Sequence, residues 1–463
     1  MSFYTDVQRL GKYILYRGYD SKGNPIKLKD KVEPRCYIPV IKPTGYKSLS
    51  GKNLDVVDFT SVKKMKDYYE NIADNQDIPY GPGFSAKALV QQYLMDKHPE
   101  HEIQFKKRYV NIVNIDIEVQ SDEGFPSPQE AAYPIISIAL KSSKDGGVYR
   151  VWGLGNYTPP DDKLVQYKKC DSELDLLEKF MIYWWETKPD VITGWNVKGF
   201  DIPYLINRMM NMDHPLWKSY IDDWSFVAKA KDGHSGYDDN TEFNPELKSI
   251  PVCFSPWTKI LQTSKDPVQY KIYGIQVIDY LDTFKKLGYS YGPQETYKLD
   301  NIANVVLGER KLSYEEHGNL HTLHKNDYQK FIDYNIKDVE LVQRIDDKMG
   351  LIELVMTMAY KGGVNYLDVM GTTAIWDSII NRELYSKKII ANPLVNKMKG
   401  PYPGGWVKPP LGGGGSFDWV VSFDLNSLYP NLIVQYNMSP ETVLPDNVAS
   451  GVESYLNSDK LAT

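Results

Sequence analysis

Carboxylate side chains occur in three short segments whose residue types would let them act together. The first segment reads Asn-Ile-Asp-Ile-Glu and carries Asp116 and Glu118. The second ends in Asp201, and the third carries Tyr334 and Asp338 four residues apart. Four carboxylates in one place can hold two divalent metal ions, and two ions about 3.5–4 Å apart promote in-line attack on a phosphodiester. The segments therefore predict a metal-dependent hydrolytic site.

The first acidic pair lies in a stretch with the composition of a β-strand. Residues 109–115 are rich in β-branched and aromatic residues, and the apolar pattern continues through the acids. Side chains two residues apart on a strand share a face, so Asp116 and Glu118 are predicted to point the same way. The alternative for this pair alone is an exposed edge strand with solvated acids.

The other two segments lie at the start and in the middle of predicted helices. A short buried strand over residues 189–194 leads to a helix that begins near Asp201, where helix capping is the alternative role of the acid. A long helix over residues 327–349 would place Tyr334 and Asp338 on one face, where a surface pair is the alternative. The combination of all three segments favours a shared site.

This combination resembles the proofreading 3′–5′ exonuclease domains that use an Asp-Glu-Asp-Asp set with a tyrosine. Further segments narrow the resemblance to the family B DNA polymerases of large tailed (T-even-like) bacteriophages. One of them, Ser-Phe-Asp-Leu-Asn-Ser-Leu-Tyr-Pro, is similar to motif A of the polymerase palm. The segments that carry the resemblance are residues 122–126, 193–197, 277–282, 402–405 and 422–430.

The resemblance implies a mixed α/β (α+β) fold with a ribonuclease H-like exonuclease domain. It predicts an N-terminal α+β domain over residues 1–106 and the exonuclease domain over residues 107–347. A helical connector over residues 348–381 would pack on the N-terminal domain, and residues 382–463 would form an incomplete palm that carries motif A.

The resemblance also implies roles for the acids in an exonuclease site with two Mg²⁺ or Mn²⁺ ions. Asp116 would bridge both metals, while Glu118 and Asp338 would complete the shell of the catalytic ion. Asp201 would hold the second ion, partly through water. Tyr334 would orient the attacking water together with Glu118, and the metal must generate the hydroxide because the ordinary pKa of tyrosine is near 10.

Four residues are predicted to contact DNA. Phe125, in a loop bounded by glycine and proline, would stack on a base of the frayed strand, a contact worth ~1–3 kcal/mol. The alternative is that Phe125 caps the core. Asn196, Tyr402 and Gly404 belong to segments that carry the resemblance and are the other predicted DNA contacts.

In the palm segment, the resemblance makes Asp424 a metal-binding and catalytic residue of the polymerase site. Leu425, Ser427 and Leu428 would contact the incoming nucleotide, and the ring of Tyr429 would exclude a 2′-hydroxyl group. The family's second carboxylate motif, Asp-Thr-Asp-Ser, and its fingers motif do not occur in the 463 residues. The palm would therefore use a dNTP and further Mg²⁺ only when it is complete.

Three functions follow from this pattern. The first is the N-terminal subunit or fragment of a split or truncated replicative polymerase, with proofreading activity and a second polypeptide that supplies the rest of the palm, fingers and thumb. Its other partners would be primer-template DNA, a single-stranded 3′ end and a sliding clamp. The second is a stand-alone 3′–5′ exonuclease on DNA or RNA with a vestigial palm, and the third is a non-catalytic nucleic-acid-binding fragment.

The composition predicts a cytoplasmic protein, which the resemblance places in a phage-infected bacterium. A mean hydropathy of -0.45 and the absence of a long apolar stretch argue against a membrane span, and no secretion signal is predicted. Cys36, Cys170 and Cys253 are predicted to be free thiols in a reducing compartment. The net charge of -6 has the wrong sign for a protein that coats DNA nonspecifically.

Overall fold

The structure is a computed structural model. It describes residues 2–73, 79–81, 83, 85–99, 103–120, 124–212, 254–257, 259–313, 316, 320–391, 415–439 and 442. The chain divides into two compact units, Met1–Val395 and Asn396–Thr463. The predicted mixed α/β class is confirmed by the order of strands and helices.

Two small sheets and two helices form from the first hundred residues. An antiparallel sheet contains β1 (Phe3–Leu10), β2 (Tyr13–Tyr19) and β3 (Pro25–Lys31). A second sheet contains β4 (Arg35–Pro39), β5 (Tyr46–Ser48) and β6 (Asn53–Asp58), and helices α1 (Val62–Ala73) and α2 (Ala86–Lys97) follow. Ser85 caps α2 by accepting the backbone N–H of Ala88. This cap satisfies one of the donors that a helix start leaves unpaired.

A mixed sheet of six strands positions the acidic segments. The strands of this part of the chain are β7 (Ile112–Val119), β8 (Ile135–Ser142), β9 (Tyr149–Gly153), β10 (Val165–Lys169), β11 (Val191–Gly194), β12 (Ile260–Lys265), β13 (Val268–Ile272) and β14 (Gln276–Asp279). The spatial order in the sheet is β10-β9-β8-β7-β11-β14, and β12 and β13 form an antiparallel hairpin between β11 and β14 in sequence.

The predicted first strand is present but begins later than expected. Residues Lys107–Tyr109 form a 3₁₀ turn, and β7 runs from Ile112 to Val119. It pairs antiparallel with β8 on one side and parallel with β11 on the other. Strand β7 is an interior strand of the sheet, although its pairing with β11 covers only Ile112–Asn114. Glu118 is buried, so the alternative of an exposed edge strand with solvated acids is wrong.

Helices cover both faces of this sheet and extend beyond it. Ile115 and Ile117 pack on one face with residues of α3 (Glu173–Thr187) and α4 (Asp201–Met212). Helix α8 (Tyr328–Met349) covers the other face at β7 and β8. The helices of this part are α3 (Glu173–Thr187), α4 (Asp201–Met212), α5 (Tyr280–Leu287), α6 (Leu299–Leu307), α7 (Leu320–Asn326), α8 (Tyr328–Met349), α9 (Leu351–Gly362) and α10 (Thr372–Ser386).

The long helix α8 agrees with its predicted range to within one residue. The side chain of Asp327 caps it by accepting the N–H of Lys330 at 2.9 Å, and Gly350 ends it with a φ of +65°. Its apolar stripe faces the sheet and is buried. The residues of this stripe are Phe331, Ile332, Ile336 and Val339.

One buried carboxylate ties the first sheet to the central sheet. Asp190, just before β11, accepts hydrogen bonds from the hydroxyls of Thr5 at 3.2 Å and Tyr19 at 2.6 Å. It also accepts the backbone N–H of Asn111 at 2.7 Å and forms an ion pair with Arg17 at 3.2 Å. Each of its oxygens therefore has partners, as burial of a charge requires.

The end of the first unit returns to the second small sheet. Strand β15 (Ile389–Ile390) pairs in parallel with β5, and Arg382 in α10 donates to the backbone carbonyl of His98. These contacts join residues beyond the central sheet to the first hundred. The domain boundaries near residues 106, 347 and 381 remain predictions.

The second unit is described over residues 415–439 and 442. It contains one helix within these residues, α11 (Leu428–Gln435), preceded by irregular backbone. Many apolar side chains of this segment are exposed, with Trp419 at 98% and Phe423 at 92%. In the parts of both units that the structure describes, no helix combines the length and hydropathy that a membrane span needs.

Candidate metal centre

Strand β7 and helix α8 bring three of the predicted acids together. Asp116 and Glu118 lie on the face of β7 that α8 covers, and Asp338 projects from α8. One oxygen from each of the three carboxylates lies within 4.8 Å of the other two. The arrangement follows from local geometry, because a two-residue period on the strand meets one face of the helix.

The fourth predicted acid, Asp201, lies at the first position of α4 and is buried. Its Oδ1 accepts the backbone N–H of Ile117 at 3.0 Å, between the two acids of β7. The carboxylate thus joins the start of the helix to the acidic strand. Asp201 is not one of the three acids that form the close group, although its charge acts on Asp116.

A lysine that the sequence analysis missed contacts the site. The Nζ of Lys311 lies 2.5 Å from Oδ2 of Asp338 and 3.1 Å from the hydroxyl of Tyr334. Its side chain is about 25% exposed, so the ammonium group is only partly solvated. Lys311 follows α6 in an irregular turn, where no spacing pattern in the sequence distinguishes it from other lysines.

Asn335 is a second contact that the sequence analysis missed. Its Nδ2 donates to Oδ2 of Asp116 at 2.7 Å, and its Oδ1 accepts the hydroxyl of Ser137 at 2.8 Å. The amide therefore holds one carboxylate of the group in a fixed orientation. The sequence offered one indication of its role, its position directly after Tyr334 on a predicted helix. The contacts of Asn335 with Asp116 and Ser137 follow only from the packing of α8 on β7 and β8.

Burial raises the pKa values of the carboxylates of the site, and neighbouring acids add to the effect at Asp116 and Glu118. Burial, followed by the charge of Asp338, raises the pKa of Glu118 to about 8. Burial raises the pKa of Asp201 to about 7. Burial and then the neighbouring acids, led by Asp338, raise the pKa of Asp116 well above its ordinary value. These raised pKa values mean that the ionised carboxylates are unfavourable in the site. A cation among them would offset much of this unfavourable free energy.

Two further pKa shifts concern the groups around Asp338. Burial lowers the pKa of Lys311, but the adjacent charge of Asp338 outweighs it and the net pKa is raised. Burial and then the charge of Asp338 raise the pKa of Tyr334. At neutral pH the lysine is therefore charged and the phenol is protonated, so both act as donors.

The residues fit a divalent metal ion. Carboxylate oxygens are the ligands that Mg²⁺ and Mn²⁺ prefer. Oδ1 of Asp338 is buried and has no hydrogen-bond partner among the residues that the structure describes. An unpaired buried carboxylate oxygen is costly, and a metal ion is a partner that would satisfy it.

Two predicted DNA contacts lie near Asp201, and two cannot be placed. Phe125 is 78% exposed, and its ring centroid lies 4.9 Å from that of Phe200. It therefore covers little of the core. Asn196 has a φ of +64° in the turn before α4. Tyr402 and Gly404 lie outside the described residues.

The predicted polymerase residues all lie in the second unit. Asp424 and Leu425 are in irregular backbone, and Ser427 has a φ of +55° directly before α11. Leu428 and Tyr429 form the first turn of that helix and are exposed. Among the described residues, Asp424 is not part of a group of acids that could hold a metal.

The chain matches known protein families over two ranges. The exonuclease domain of DNA polymerase family B matches residues 52–302, and a second model of DNA polymerase family B matches residues 371–460. The exonuclease domain of this family has a ribonuclease H-like fold, which agrees with the mixed sheet and its covering helices. The predicted fold class is confirmed.

Individual relatives support the same assignment. The DNA-directed DNA polymerase of Escherichia phage RB69 is 30% identical over 98% of this chain and 49% of the relative. That of Enterobacteria phage T4 is 28% identical over 95% of this chain and 47% of the relative. The DNA polymerase delta catalytic subunit of Schizosaccharomyces pombe is 25% identical over 73% of the chain and 29% of its own length.

The chain spans about half the length of the two phage relatives. The resemblance to phage polymerases that the motifs indicated is confirmed by these similarities. Since the exonuclease match alone covers more than half of the residues, this chain belongs to DNA polymerase family B and carries the family's exonuclease domain and part of its polymerase domain.

Proposed function

We propose that this chain removes nucleotides from the 3′ end of DNA by two-metal phosphodiester hydrolysis, as the proofreading part of a replicative polymerase. The observation that carries the proposal is the convergence of half-buried Asp116 with buried Glu118 and Asp338. The unpaired Oδ1 of Asp338 supports a metal there. A non-catalytic nucleic-acid-binding role would gain nothing from the cost of burying these acids together.

The acids would divide the work of holding two metal ions. Asp116, Glu118 and Asp338 would hold the first ion, and Asp116 with Asp201 would hold the second. Bound Mg²⁺ or Mn²⁺ lowers the pKa of coordinated water and stabilises negative charge on phosphate oxygens. Asn335, which donates to Asp116, would keep that carboxylate oriented between the two positions.

Tyr334 and Lys311 would act on the substrate side of this site. Lys311 donates to the phenol oxygen at 3.1 Å. In the complex with DNA, the hydroxyl of Tyr334 would donate to the attacking water or to a phosphate oxygen. Because burial and Asp338 raise the pKa of Tyr334, the phenol acts as a donor and not as a base. The ammonium group of Lys311 would balance negative charge that develops during hydrolysis.

An assay on the isolated chain tests this proposal. A single-stranded oligonucleotide labelled at its 5′ end would be shortened from its 3′ end in Mg²⁺ or Mn²⁺. Asp338→Asn should lower the rate about 1,000-fold, because losing a metal ligand forfeits several kcal/mol of transition-state stabilisation. Asp346→Asn is the matched control, since Asp346 is a buried acid of the same helix whose carboxylate instead accepts from Ile352 and Tyr280. Equal rates in both variants would refute the site.

The second unit supports a role in DNA synthesis that this chain does not perform alone. Its motif A segment would contribute Asp424 to a metal site and Tyr429 to nucleotide selection. The exposed apolar side chains around Trp419 and Phe423 favour a further polypeptide that completes the palm and supplies fingers and thumb. Such obligate interfaces typically bury more than about 2,000 Å². A sliding clamp is a further proposed partner.

Primer extension tests the synthetic role. Extension of a primer-template with dNTPs should be absent with this chain alone and appear when the completing polypeptide is added. In the reconstituted enzyme, Asp424→Ala should abolish extension and spare exonuclease, while Tyr429→Ala should mainly relax the rejection of ribonucleotides. Unaided extension by the purified chain would contradict the requirement for a partner.

A stand-alone exonuclease on DNA or RNA is the second candidate. It is favoured by the fact that Asp116, Glu118, Asp201 and Asp338 all belong to the first unit. Hydrolysis would then be equally fast with and without a completing polypeptide. A comparison of DNA and RNA oligonucleotides of the same sequence distinguishes the two substrates.

A further inference from the structure

Lys311 reaches the acid group from a short turn, not from a helix or strand. Helix α6 ends at Gly308, whose φ of +75° is a left-handed conformation that favours glycine. Three residues later the side chain of Lys311 contacts both Asp338 and Tyr334. An irregular turn holds a side chain in one place only when other contacts fix its backbone.

Asp300, in the first turn of α6, holds this turn from one side. Its Oδ1 accepts the backbone N–H of Lys311 at 2.9 Å, and its Oδ2 accepts Nη1 of Arg310 at 2.7 Å. One carboxylate therefore spans two consecutive residues of the turn. The hydrogen bond to the backbone falls on the residue whose side chain enters the site.

Glu309 holds the same turn from the other side. It forms a bidentate pair with Arg344, with both N···O distances at 2.5 Å, and a second contact with Lys337 at 3.3 Å. Both cations belong to α8, the helix that carries Tyr334 and Asp338. The turn is thereby fastened to the helix that its lysine must reach.

We propose that Asp300 and Glu309 are positioning residues of the exonuclease site. Asp300 fixes the backbone of Lys311 and Glu309 fixes the turn to α8, so that the ammonium group stays between Asp338 and Tyr334. The inference rests on the proposed function, because the placement of Lys311 affects a rate only if this site hydrolyses phosphodiesters. The ion pairs of Asp300 and Glu309 are partly exposed and contribute little to the free energy of unfolding. We therefore expect substitutions at these two residues to change the rate of hydrolysis more than the stability.

The kinetic test uses matched variants at each side of the turn. Asp300→Ala should lower kcat about 10-fold with KM within about 2-fold, since a small misplacement of a catalytic group is enough for such a loss. Asp300→Asn, which keeps an oxygen for the N–H of Lys311, should recover most of the rate. Arg310→Ala removes the ion pair of Asp300 but leaves that hydrogen bond, and should stay within about 2-fold of the parent.

The same comparison applies to Glu309. Glu309→Gln should lower kcat, whereas Glu340→Gln should not. Glu340 is the matched control because it contacts the same two cations, Lys337 at 3.5 Å and Arg344 at 3.7 Å, but belongs to α8 and not to the turn. Equal losses of kcat in the two variants would show that the rate depends only on neutralising Lys337 and Arg344 of α8. That result would overturn the positioning role of Glu309.

A double-mutant cycle separates positioning from a general structural role. If Asp300 acts through Lys311, then Asp300→Ala should cause no further loss, within about 2-fold, in a Lys311→Ala background. Additive losses would overturn the proposal. If Asp300→Ala does not fold, as judged by circular dichroism, the same cycle is run with Glu309→Gln.

A spectroscopic readout does not depend on activity. In the metal-free chain labelled at lysine Cε with ¹³C, the Lys311 signal is identified as the one missing from Lys311→Ala. This signal should shift in Asp300→Ala and stay in place in Arg310→Ala, and an unmoved signal would refute positioning. Full activity of Asp300→Ala beside an inactive Asp338→Asn overturns this inference alone, whereas an active Asp338→Asn overturns the proposed function itself.

Discussion

Asp190 and Asp338 are both buried carboxylates, but their surroundings differ in kind. Asp190 has neutral donors and a cation around both oxygens, and these partners come from β1, β2 and the start of the central sheet. Asp338 has one oxygen on Lys311 and one without a partner among the described residues, and it lies close to Asp116 and Glu118.

This difference teaches how to separate structural acids from functional ones. An acid whose oxygens are all satisfied lowers the free energy of the folded chain and needs no ligand. Acids buried together with an unsatisfied oxygen raise that free energy, and the fold tolerates them where a bound ion compensates. Substitution of an acid of the first kind, such as Asp190, should mainly lower stability. Substitution of an acid of the second kind, such as Asp338, should mainly lower activity.

The largest expected effect comes from Asp116→Asn. We expect a loss of hydrolysis of about 1,000-fold, because under the proposed function this residue would be a ligand of both metal ions. In the metal-free chain at pH 8 we expect the free energy of unfolding to be higher than the parent's by about 1 kcal/mol, since a repelled charge has been removed. Urea unfolding and the oligonucleotide assay measure the two effects. A destabilised variant would break the distinction between the two kinds of acid.

Asp190→Asn should give the opposite result. The amide nitrogen would face the donors Tyr19 and Asn111, and the ion pair with Arg17 would be lost, at a cost of about 3–5 kcal/mol in the free energy of unfolding. The rate of hydrolysis should stay within a few-fold of the parent at a temperature where the variant is folded. Loss of activity without loss of stability would contradict a structural role for Asp190.

The effect of Mg²⁺ on stability should depend on pH. The raised pKa values of Glu118, about 8, and Asp201, about 7, mean that the folded chain binds more protons than the unfolded chain between about pH 4 and 8. The contribution of these two acids to the stability of the metal-free chain is therefore fully present below about pH 4 and is lost as pH rises through this range. Mg²⁺ competes with these protons, so its stabilising effect should grow with pH.

Thermal unfolding at pH 5 and pH 8, with EDTA or with Mg²⁺, measures this dependence. The increase in Tm on adding Mg²⁺ should be larger at pH 8, by a few degrees for a stabilisation of about 1–2 kcal/mol. Asp116→Asn should reduce the increase at both pH values, and Asp190→Asn should not. A metal effect independent of pH would show that the acids do not exchange protons for the ion.

The sequence predicted the parts of this site that depend on local patterns. Alternation placed Asp116 and Glu118 on one face, and the helix predicted over residues 327–349 agrees with α8 to within one residue. The central position of β7 could not be predicted, because β11, its second neighbour, comes from beyond β8, β9, β10 and α3 in sequence. Lys311 and Asn335 were missed for the same reason, since their roles arise only when α6, α8 and β8 pack together.

Among the sequence-predicted residues of the metal centre, Tyr334 should give the smallest loss of hydrolysis when it is replaced, as Tyr334→Phe. The variant keeps the acids, but it removes the hydroxyl that Lys311 contacts at 3.1 Å and the proton that the phenol would donate. We expect a decrease of about 10-fold or less, in line with the loss of one hydrogen bond in the transition state. The Mg²⁺-dependent increase in Tm should be unchanged, because no carboxylate is altered. Loss of that increase would mean that Tyr334 helps to hold the metal, and Tyr334 would then have to be counted as a metal ligand and not only as a hydrogen-bond donor.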